Sequence, residues 1–366
     1  EQQVAQNKLL FPLLVISTVF GQFSQQAKIV ASDAAANDLF GYDGGLGVSG
    51  NYAIVGAYQN DDNGSSSGSA YIFLRSGSSW SQQAKLTASD GAANDNFGIS
   101  ADISGDYAVV GAVGEDSGVD NSGAVYVFIR SGSSWSQQAK LQPSTAVANA
   151  SFGKTVAIDG DYVIVGAPDS DSKGAAYIFV RSGSSWSQQA KLVSSDLATS
   201  DSFGNDVSIS GSYAAVGTPW DDDDGGGSGS AYIFVRSGTS WTQQAKLKAS
   251  DAAAGDGFGA GVSIDDNYLI SGAYQENPNS VANGGSAYIF IRSGSSWSQQ
   301  AKLVASDVAA GDDGGRVVAL SGDYAMISAS AKSSTTGAAY IFSRSGSSWS
   351  QQTKLVASDA ANYDAF

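Results

Sequence analysis

The chain contains neither cysteine nor histidine among its 366 residues, and it has only five prolines and one methionine. Without cysteine there is no disulfide and no thiolate nucleophile, and without either residue type a Cys/His zinc site is excluded. A Ser-His-Asp triad and a histidine general base are excluded for the same reason. These gaps predict a protein that is not an enzyme. Any metal would need oxygen ligands, which means calcium or magnesium, and calcium is the cofactor that we consider further.

Basic residues are also scarce. The chain has 19 Lys and Arg against 35 Asp and Glu, which gives a formal net charge of −16. Nucleic-acid binding rests on basic patches that face phosphate, so this balance argues against a nucleic-acid partner and against an anionic membrane surface. Hydrophobic residues make up 42%, enough for a core. The composition fits a secreted or cell-surface protein.

Long apolar runs are missing as well. The strongest one, residues 9–20, has 12 residues and is too short for a transmembrane helix, so no transmembrane span is predicted. It is typical of the core of a signal peptide, and it also fits a closing strand. We therefore divide the chain into an apolar N-terminal segment, residues 1–23, and a repeat domain, residues 24–366.

What the chain has instead is an internal repeat. The phrase Ser-Gln-Gln-Ala-Lys-Leu, with small variations, occurs seven times at intervals of 51 to 57 residues. Its lysines are Lys28, Lys85, Lys140, Lys191, Lys246, Lys302 and Lys354. A Phe-Gly follows each of the first five at a constant distance, so length varies only elsewhere in the unit. A period of this size predicts a repeat architecture.

One unit reads as four short strands. In the second copy, these are Phe97–Ile103, Tyr107–Ala112, Ala124–Phe128 and Trp135–Leu141, separated by Gly-, Ser- and Asp-rich turns. Four strands in about 55 residues without helical periodicity predict a propeller blade. We predict an all-β fold, a β-propeller of four-stranded antiparallel blades with six complete repeats and an N-terminal half-blade. Seven blades are favoured and six are open, while a linear β-solenoid is the alternative fold.

The motifs Phe97-Gly98, Gly111-Ala112 and Ala124–Phe128 recur along the chain. They resemble the FG-GAP repeat of integrin α-subunit heads and of bacterial and algal surface proteins. The resemblance implies a seven-bladed, extracellular propeller used for adhesion or ligand binding. Family members often carry a D-x-D-x-D-G calcium loop between the first and second strands. Here that connection is a short turn such as Ser104–Tyr107, so those calcium sites do not carry over.

Acidic residues concentrate in the blade-to-blade loops and in the loops between the second and third strands. Antiparallel topology places both loop types on one face, which predicts an acidic face. The blade-to-blade loops carry Asp pairs five residues apart: Asp33/Asp38, Asp90/Asp95, Asp196/Asp201, Asp251/Asp256, Asp307/Asp312 and Asp359/Asp364. Each pair either fixes a turn through backbone hydrogen bonds or forms part of a weak calcium site.

Two aromatic features are candidates for ligand contact. The loop of Trp220, Asp221, Asp222, Asp223 and Asp224 lies outside the repeat pattern and is the candidate ligand-binding site. On the opposite face, Arg-Ser-Gly-Ser-Ser-Trp recurs in every complete unit, with Thr239 in place of a serine in the fourth. These residues serve either as sugar-binding platforms or as packing between blades. The repeat tryptophans are Trp80, Trp135, Trp186, Trp241, Trp297 and Trp349.

The N-terminal segment aligns with the last two strands of a blade. Leu13, Leu14, Val15 and Ile16 fall on Ala70, Tyr71, Ile72 and Phe73, and Phe23 falls on Trp80. These residues would either close the ring within one chain or complete a neighbour's blade in a head-to-tail polymer.

Three functions follow from these observations. The first is a non-catalytic extracellular or cell-surface binding or adhesion propeller with a protein or glycan ligand. The second is a structural subunit of an extracellular filament joined by its N-terminal strand, a homopolymer. The third is a carbohydrate-binding lectin.

Overall fold

A computed structural model describes residues 23–42, 44–116, 118–332 and 336–360. The described residues form six four-stranded sheets, and in each sheet the strands are antiparallel and lie side by side in chain order. This is an all-β propeller of six blades, as the repeat predicted, and it excludes the linear solenoid. Six is the smaller of the two blade counts that the sequence left open. No helix in the described part of the chain is long and apolar enough to cross a membrane.

The strands are numbered β1 to β24, four to a blade. Blades 1 to 3 contain β1 Leu46–Ser49, β2 Tyr52–Ala57, β3 Ser69–Ser76, β4 Ser79–Leu86, β5 Phe97–Ser104, β6 Tyr107–Ala112, β7 Ala124–Ser131, β8 Ser134–Leu141, β9 Thr155–Asp159, β10 Tyr162–Ala167, β11 Ala175–Ser182 and β12 Ser185–Leu192. Blades 4 to 6 contain β13 Val207–Ser210, β14 Tyr213–Thr218, β15 Ser230–Ser237, β16 Ser240–Leu247, β17 Phe258–Asp265, β18 Tyr268–Ala273, β19 Ser286–Ser293, β20 Ser296–Leu303, β21 Val318–Ser321, β22 Tyr324–Ala329, β23 Ala338–Ser345 and β24 Ser348–Leu355. Short 3-10 helices span Ser170–Ser172 and Pro278–Ser280.

The second blade shows how the unit folds. Gly105 opens the turn between the first two strands with φ +59°, and Gly132 opens the turn between the last two with φ +62°. Both angles favour glycine, which explains why these positions recur as turns. The third strand runs three residues further than predicted, because Arg130 still pairs with Trp135 across the sheet. A β-bulge follows Val127 in that pairing.

The core lies between blades. Phe97 is fully buried and meets Tyr126 and Phe128 of its own blade edge-on, with ring centroids 5.5 and 6.0 Å apart. Residues of blade 1, including Ile54, pack into the same apolar cluster. Each blade therefore buries its faces against its neighbours, as expected for radially arranged sheets.

The Phe-Gly and Gly-Ala motifs meet at these junctions. A Cβ added to Gly111 of β6 would lie 2.0 Å from the carbonyl oxygen of Gly153, the glycine of the next Phe-Gly. Gly56, Gly166, Gly217 and Gly272 stand equally close to the following blade. Both motifs thus allow backbones of adjacent blades to touch, and a side chain at these positions would separate them.

Candidate functional site

The acidic face is built around the repeat lysine. Lys140, on the outer strand β8, places its ammonium 2.7 Å from Asp90 in the blade-to-blade loop and 2.6 Å from Glu115 in the loop after the second strand. The same ammonium lies 5.4 Å from the ring centroid of Tyr126, whose hydroxyl donates to Asp90. The two loop types therefore do share one face.

The first aspartate of each pair binds a repeat lysine. The pairs are Asp33–Lys85, Asp90–Lys140, Asp196–Lys246, Asp251–Lys302, Asp307–Lys354 and Asp359–Lys28. Burial alone would raise the pKa of Asp90, but hydrogen bonds from Lys140 and Tyr126 hold it below its usual value. In the third unit, which lacks the pair, Lys191 binds Asp171 instead.

The second aspartate fixes the loop. Asp95 is 5% exposed and accepts a hydrogen bond at 2.8 Å from the backbone N–H of Ala92, three residues earlier. Asp38, Asp201, Asp256 and Asp312 accept the equivalent bond. Burial raises the pKa of Asp95, with Glu115 nearby adding to the effect. The geometry supports the turn-fixing interpretation for the second aspartate of each pair, whereas the first aspartate binds the repeat lysine.

No group of three acidic side chains comes together as around a metal ion within the described ranges. The calcium interpretation of the Asp pairs stays a prediction, and Asp364 lies outside the described residues. Any ion bound there would compete with a lysine ammonium for the first aspartate of each pair.

One recurring position was missed by sequence reasoning. The third residue after the Gly-Ala of the second strand is buried and polar in every blade: Asn60, Glu115, Ser170, Asp221, Glu276 and Lys332. In blades 2, 4 and 5 it is an acid that binds the repeat lysine. In blade 6 it is Lys332, which binds Asp312 at 2.6 Å. Because the residue type differs from blade to blade, this position does not stand out in the sequence. It could have been found from its constant distance of three residues after the end of the second strand.

A family model for the FG-GAP repeat matches residues 23–73, 80–128, 135–179, 186–234, 241–290 and 297–342, one match for each blade. These matches cover most of the chain. The chain belongs to the FG-GAP repeat family. No curated protein sequence shows significant similarity to it.

Among solved structures, this FG-GAP chain is similar to a Bacteroides uniformis protein whose name assigns it, provisionally, to the 6-phosphogluconolactonases. The identity is 13%, the match covers 91% of each chain and the TM-score is 0.59. At that identity the likeness shows the propeller fold alone.

The loop at Trp220 departs from the rest of the FG-GAP ring. Trp220 is 42% exposed, and a Cβ added to Gly227 would lie 3.1 Å from its ring, so the indole rests on that glycine. Asp221 is only 2% exposed and contacts Lys246 and Tyr232, whereas Asp222, Asp223 and Asp224 are exposed. Of the predicted ligand-binding set, Asp221 therefore faces inward and the other four residues reach the surface.

Five of the six repeat tryptophans of the FG-GAP units are packed between described blades. Trp135 meets Tyr52 of the preceding blade edge-on, with centroids 6.2 Å apart, and donates from Nε1 to Gln83 at 2.9 Å. Arg130 of blade 2 lies over the Tyr52 ring, with its guanidinium carbon 4.5 Å from the ring centroid. The same arrangement recurs at Trp186, Trp241, Trp297 and Trp349. This geometry supports an architectural role for the repeated Arg and Trp.

Phe23 is the one described member of the predicted closure set, and it packs edge-on against Tyr324 of blade 6 at 5.4 Å. Leu13, Leu14, Val15 and Ile16 lie outside the described residues.

Proposed function

We propose that this FG-GAP propeller is a non-catalytic binding protein of the cell exterior that holds a basic segment of a partner protein at the Trp220 loop. The exposed indole carries the proposal. Every repeat tryptophan is half-buried and five of the six pack at blade junctions, whereas Trp220 is exposed and so is placed for contact with something outside the ring.

The charge around Trp220 selects the kind of partner. Four carboxylates, those of Asp196, Asp221, Asp223 and Asp224, share the two ammonium groups of Lys246 and Lys248, and Asp222 accepts from the backbone N–H of Gly227 instead. These five carboxylates and two ammonium groups leave three negative charges in excess. An exposed aromatic ring beside excess carboxylates suits an Arg or Lys side chain, through cation–π and charge-assisted contacts. The net charge of −16 would also attract a basic partner from a distance.

The extracellular placement rests on the acidic composition and on the FG-GAP family. The absence of catalysis rests on the missing histidine and cysteine and on the ion pairing of the acidic groups on the loop face. A glycan ligand would need a free aromatic platform, and Trp220 is the one such tryptophan in the described part of the chain.

A fluorescence titration tests the proposal. The probes are a synthetic peptide containing four arginines and a matched peptide containing four glutamates, each added in about 0.15 M salt. We expect saturable binding of the arginine peptide with a change in tryptophan emission. Trp220→Ala should weaken binding at least tenfold. Gln275→Ala, at the equivalent loop position of blade 5, is the matched control and should bind as the unmodified chain does.

Equal binding by Trp220→Ala and the unmodified chain would mean a diffuse electrostatic attraction and would overturn the proposal. A glycan array, probed with the same variants, separates the lectin alternative. Glycan binding that depends on Trp220, without peptide binding, would replace the protein partner with a sugar.

A further inference from the structure

The Trp220 loop has a second aromatic residue beside it, across the junction between blades 4 and 5. A Cβ added to Gly227 would lie 3.1 Å from the Trp220 ring, and one added to Gly257 would lie 2.9 Å from the ring of Tyr274. The N–H of Gly257 donates to the carbonyl oxygen of Gly227 at 3.0 Å. Trp220 of blade 4 and Tyr274 of blade 5 therefore rest on two glycines that are direct neighbours.

The surface between the two rings is backbone. Residues 225–227, 255 and 257 are all glycine. A Cβ added to Gly226 or Gly255 would meet no atom of the described residues within 4 Å, so the space above them is open. We call Trp220, Tyr274 and these five glycines the glycine slot.

The equivalent positions at two other junctions carry side chains. The same backbone hydrogen bond joins Ser66 to Asn96 between blades 1 and 2, and Asn283 to Asp313 between blades 5 and 6. These four residues and the two hydrogen-bonded glycines of the slot all have φ between +49° and +66°. The backbone is thus alike at the three junctions, and the fold accepts a side chain there. Glycine at both positions removes the side chains that would cover the floor and lets a ligand approach the backbone closely.

The two ends of the slot differ in charge. At the Trp220 end, the exposed aspartates 222–224 follow the indole. At the other end, the guanidinium carbon of Arg316 lies 5.6 Å from the Tyr274 ring centroid, and Asp313 lies near enough to offset that charge. A cationic side chain is therefore attracted at the Trp220 end. The Tyr274 end offers it no advantage, because a cation already lies over that ring.

The width of the slot limits the form of its occupant. Backbones joined by hydrogen bonds lie about 5 Å apart, and each ring rests on one of two such residues. An α-helix with its side chains is about 10–12 Å wide and would need a broader floor. An extended chain with small side chains fits beside another backbone at about 5 Å.

We infer that the glycine slot holds an extended stretch of the bound basic segment. Its cationic side chain lies at Trp220 and the aspartates, and small uncharged residues lie over the glycines toward Tyr274. The inference rests on the proposed function and adds Tyr274 and the glycine floor to the binding site. Rings on both sides of the chain would exclude water from its contacts.

Filling the floor tests the slot while keeping the fold. The test variant is Gly257→Asn, because Asn96 has a left-handed backbone, φ +56°, at the equivalent position. The matched control is Gly105→Asn, in a turn of the opposite face with φ +59°, where an added Cβ meets no described atom within 4 Å. The probe is a synthetic peptide of four arginines followed by four glycines. We expect Gly257→Asn to weaken its binding about tenfold or more, and Gly105→Asn to bind as the unmodified chain does.

Removing the second ring tests the far wall of the slot. Tyr274→Ala should weaken binding of the same peptide about three- to tenfold, the usual scale for loss of one aromatic contact. Tyr58→Ala is the matched control, because Tyr58 holds the same place after the second strand of blade 1. It should leave the affinity unchanged.

One variant should bind more tightly. Arg316→Ala removes a positive charge from the Tyr274 end, so the arginine peptide should gain about two- to threefold in affinity. A gain of this kind does not arise from a damaged fold. Unfolding midpoints followed by circular dichroism show which variants are intact.

The outcomes separate this inference from the proposed function. If Trp220→Ala loses binding while Gly257→Asn and Tyr274→Ala bind normally, the loop alone holds the segment and the slot is refuted. If Trp220→Ala also binds normally, the proposed function fails and the inference fails with it. If Gly257→Asn loses its fold, the other two variants decide, and unchanged affinity in both Tyr274→Ala and Arg316→Ala would overturn the inference.

Discussion

The ammonium of Lys246 lies 2.8 Å from the carboxylate of Asp221, which is 2% exposed. Lys246 also contacts Asp196 and Asp223, so one cation ties the outer strand of blade 4 to two loops of the acidic face. Burial alone would lower the pKa of Lys246, but the carboxylates of Asp221 and Asp223 raise it above its usual value. Lys246 therefore stays charged at any physiological pH, and its ion pairs hold the two loops against the outer strand.

Substitution of a repeat lysine should cost more unfolding free energy when its acidic partner is buried than when that partner is exposed. Lys246→Met leaves the Asp221 carboxylate buried without a cation, which should cost about 3 kcal/mol of unfolding free energy. Lys191→Met is the matched control, because the one ion pair of Lys191 within the described residues is with the exposed Asp171, so the substitution should cost below about 1 kcal/mol. Urea denaturation measures both variants. Equal losses would mean that the buried acid is not held by the lysine.

The blade junctions should not tolerate a side chain at the Gly-Ala glycine. Gly111→Ala places a methyl group 2.0 Å from the Gly153 carbonyl, so the blades must separate. We expect a loss of about 2 to 3 kcal/mol in unfolding free energy, as for overpacked cores. Ser328→Ala in blade 6, measured in the same way, should stay within about 1 kcal/mol, since no following Phe-Gly is described there. If Gly111→Ala leaves the unfolding free energy nearly unchanged, the blades are not in close backbone contact at this junction.

Trp135 and Trp220 should differ in their contribution to stability. Trp135→Ala removes an interblade ring contact and the hydrogen bond to Gln83, and should cost about 3 kcal/mol. Trp220→Ala should change the unfolding free energy by less than about 0.5 kcal/mol, as at most surface sites. Thermal and urea unfolding, followed by circular dichroism, compare them. A large loss in Trp220→Ala would make that indole part of the fold and weaken its assignment to ligand binding.

Asp102 should make stability depend on pH. Its carboxylate accepts from the N–H groups of Ile103 and Ile158, and burial raises its pKa to about 6. The folded protein then holds the proton more tightly than the unfolded chain between about pH 4 and 6, so this group's stabilising contribution falls as pH rises through that range. Asp102→Asn should remove that part of the slope in unfolding free energy against pH. Asp116→Asn, at an exposed carboxylate, is the control, and an unchanged slope in Asp102→Asn would contradict the assignment.

Much of the fold was readable from the sequence, since each blade repeats the same pattern. Phe97, Gly111 and Tyr126 each recur in at least five of the six units, and the junction geometry explains why: each is buried or touches backbone at an interblade contact. The strand order followed from the turn glycines. In this fold, a residue pattern that repeats along the chain marks a tertiary contact that repeats from one blade junction to the next.

The candidate site was less readable because pairing partners are far apart in the chain. Asp90 and Asp95 look alike in sequence, yet one binds Lys140 from 50 residues away and the other caps its own loop. The inward position of Asp221 was hidden among four consecutive aspartates. Their roles depend on which loop positions face the repeat lysine, and only the folded blade fixes that.

Phe23 packs on Tyr324 of blade 6, and Ile29 and Ala31 are buried in the apolar cluster of blade 1, so residues 23–31 lie between these two blades. The spacing of the blades tests the central claim that follows, a ring with seven positions of which six hold the complete blades of the described residues. Spin labels on cysteines placed at the exposed turn residues Ser78, Ser133, Ser184 and Ser347 would report blades 1, 2, 3 and 6. If a seventh position separates blade 6 from blade 1, the 78–347 distance in a pulsed dipolar measurement should match the 78–184 distance, which spans two steps. A 78–347 distance equal to the 78–133 distance, one step, would place blade 6 directly beside blade 1 and contradict the account.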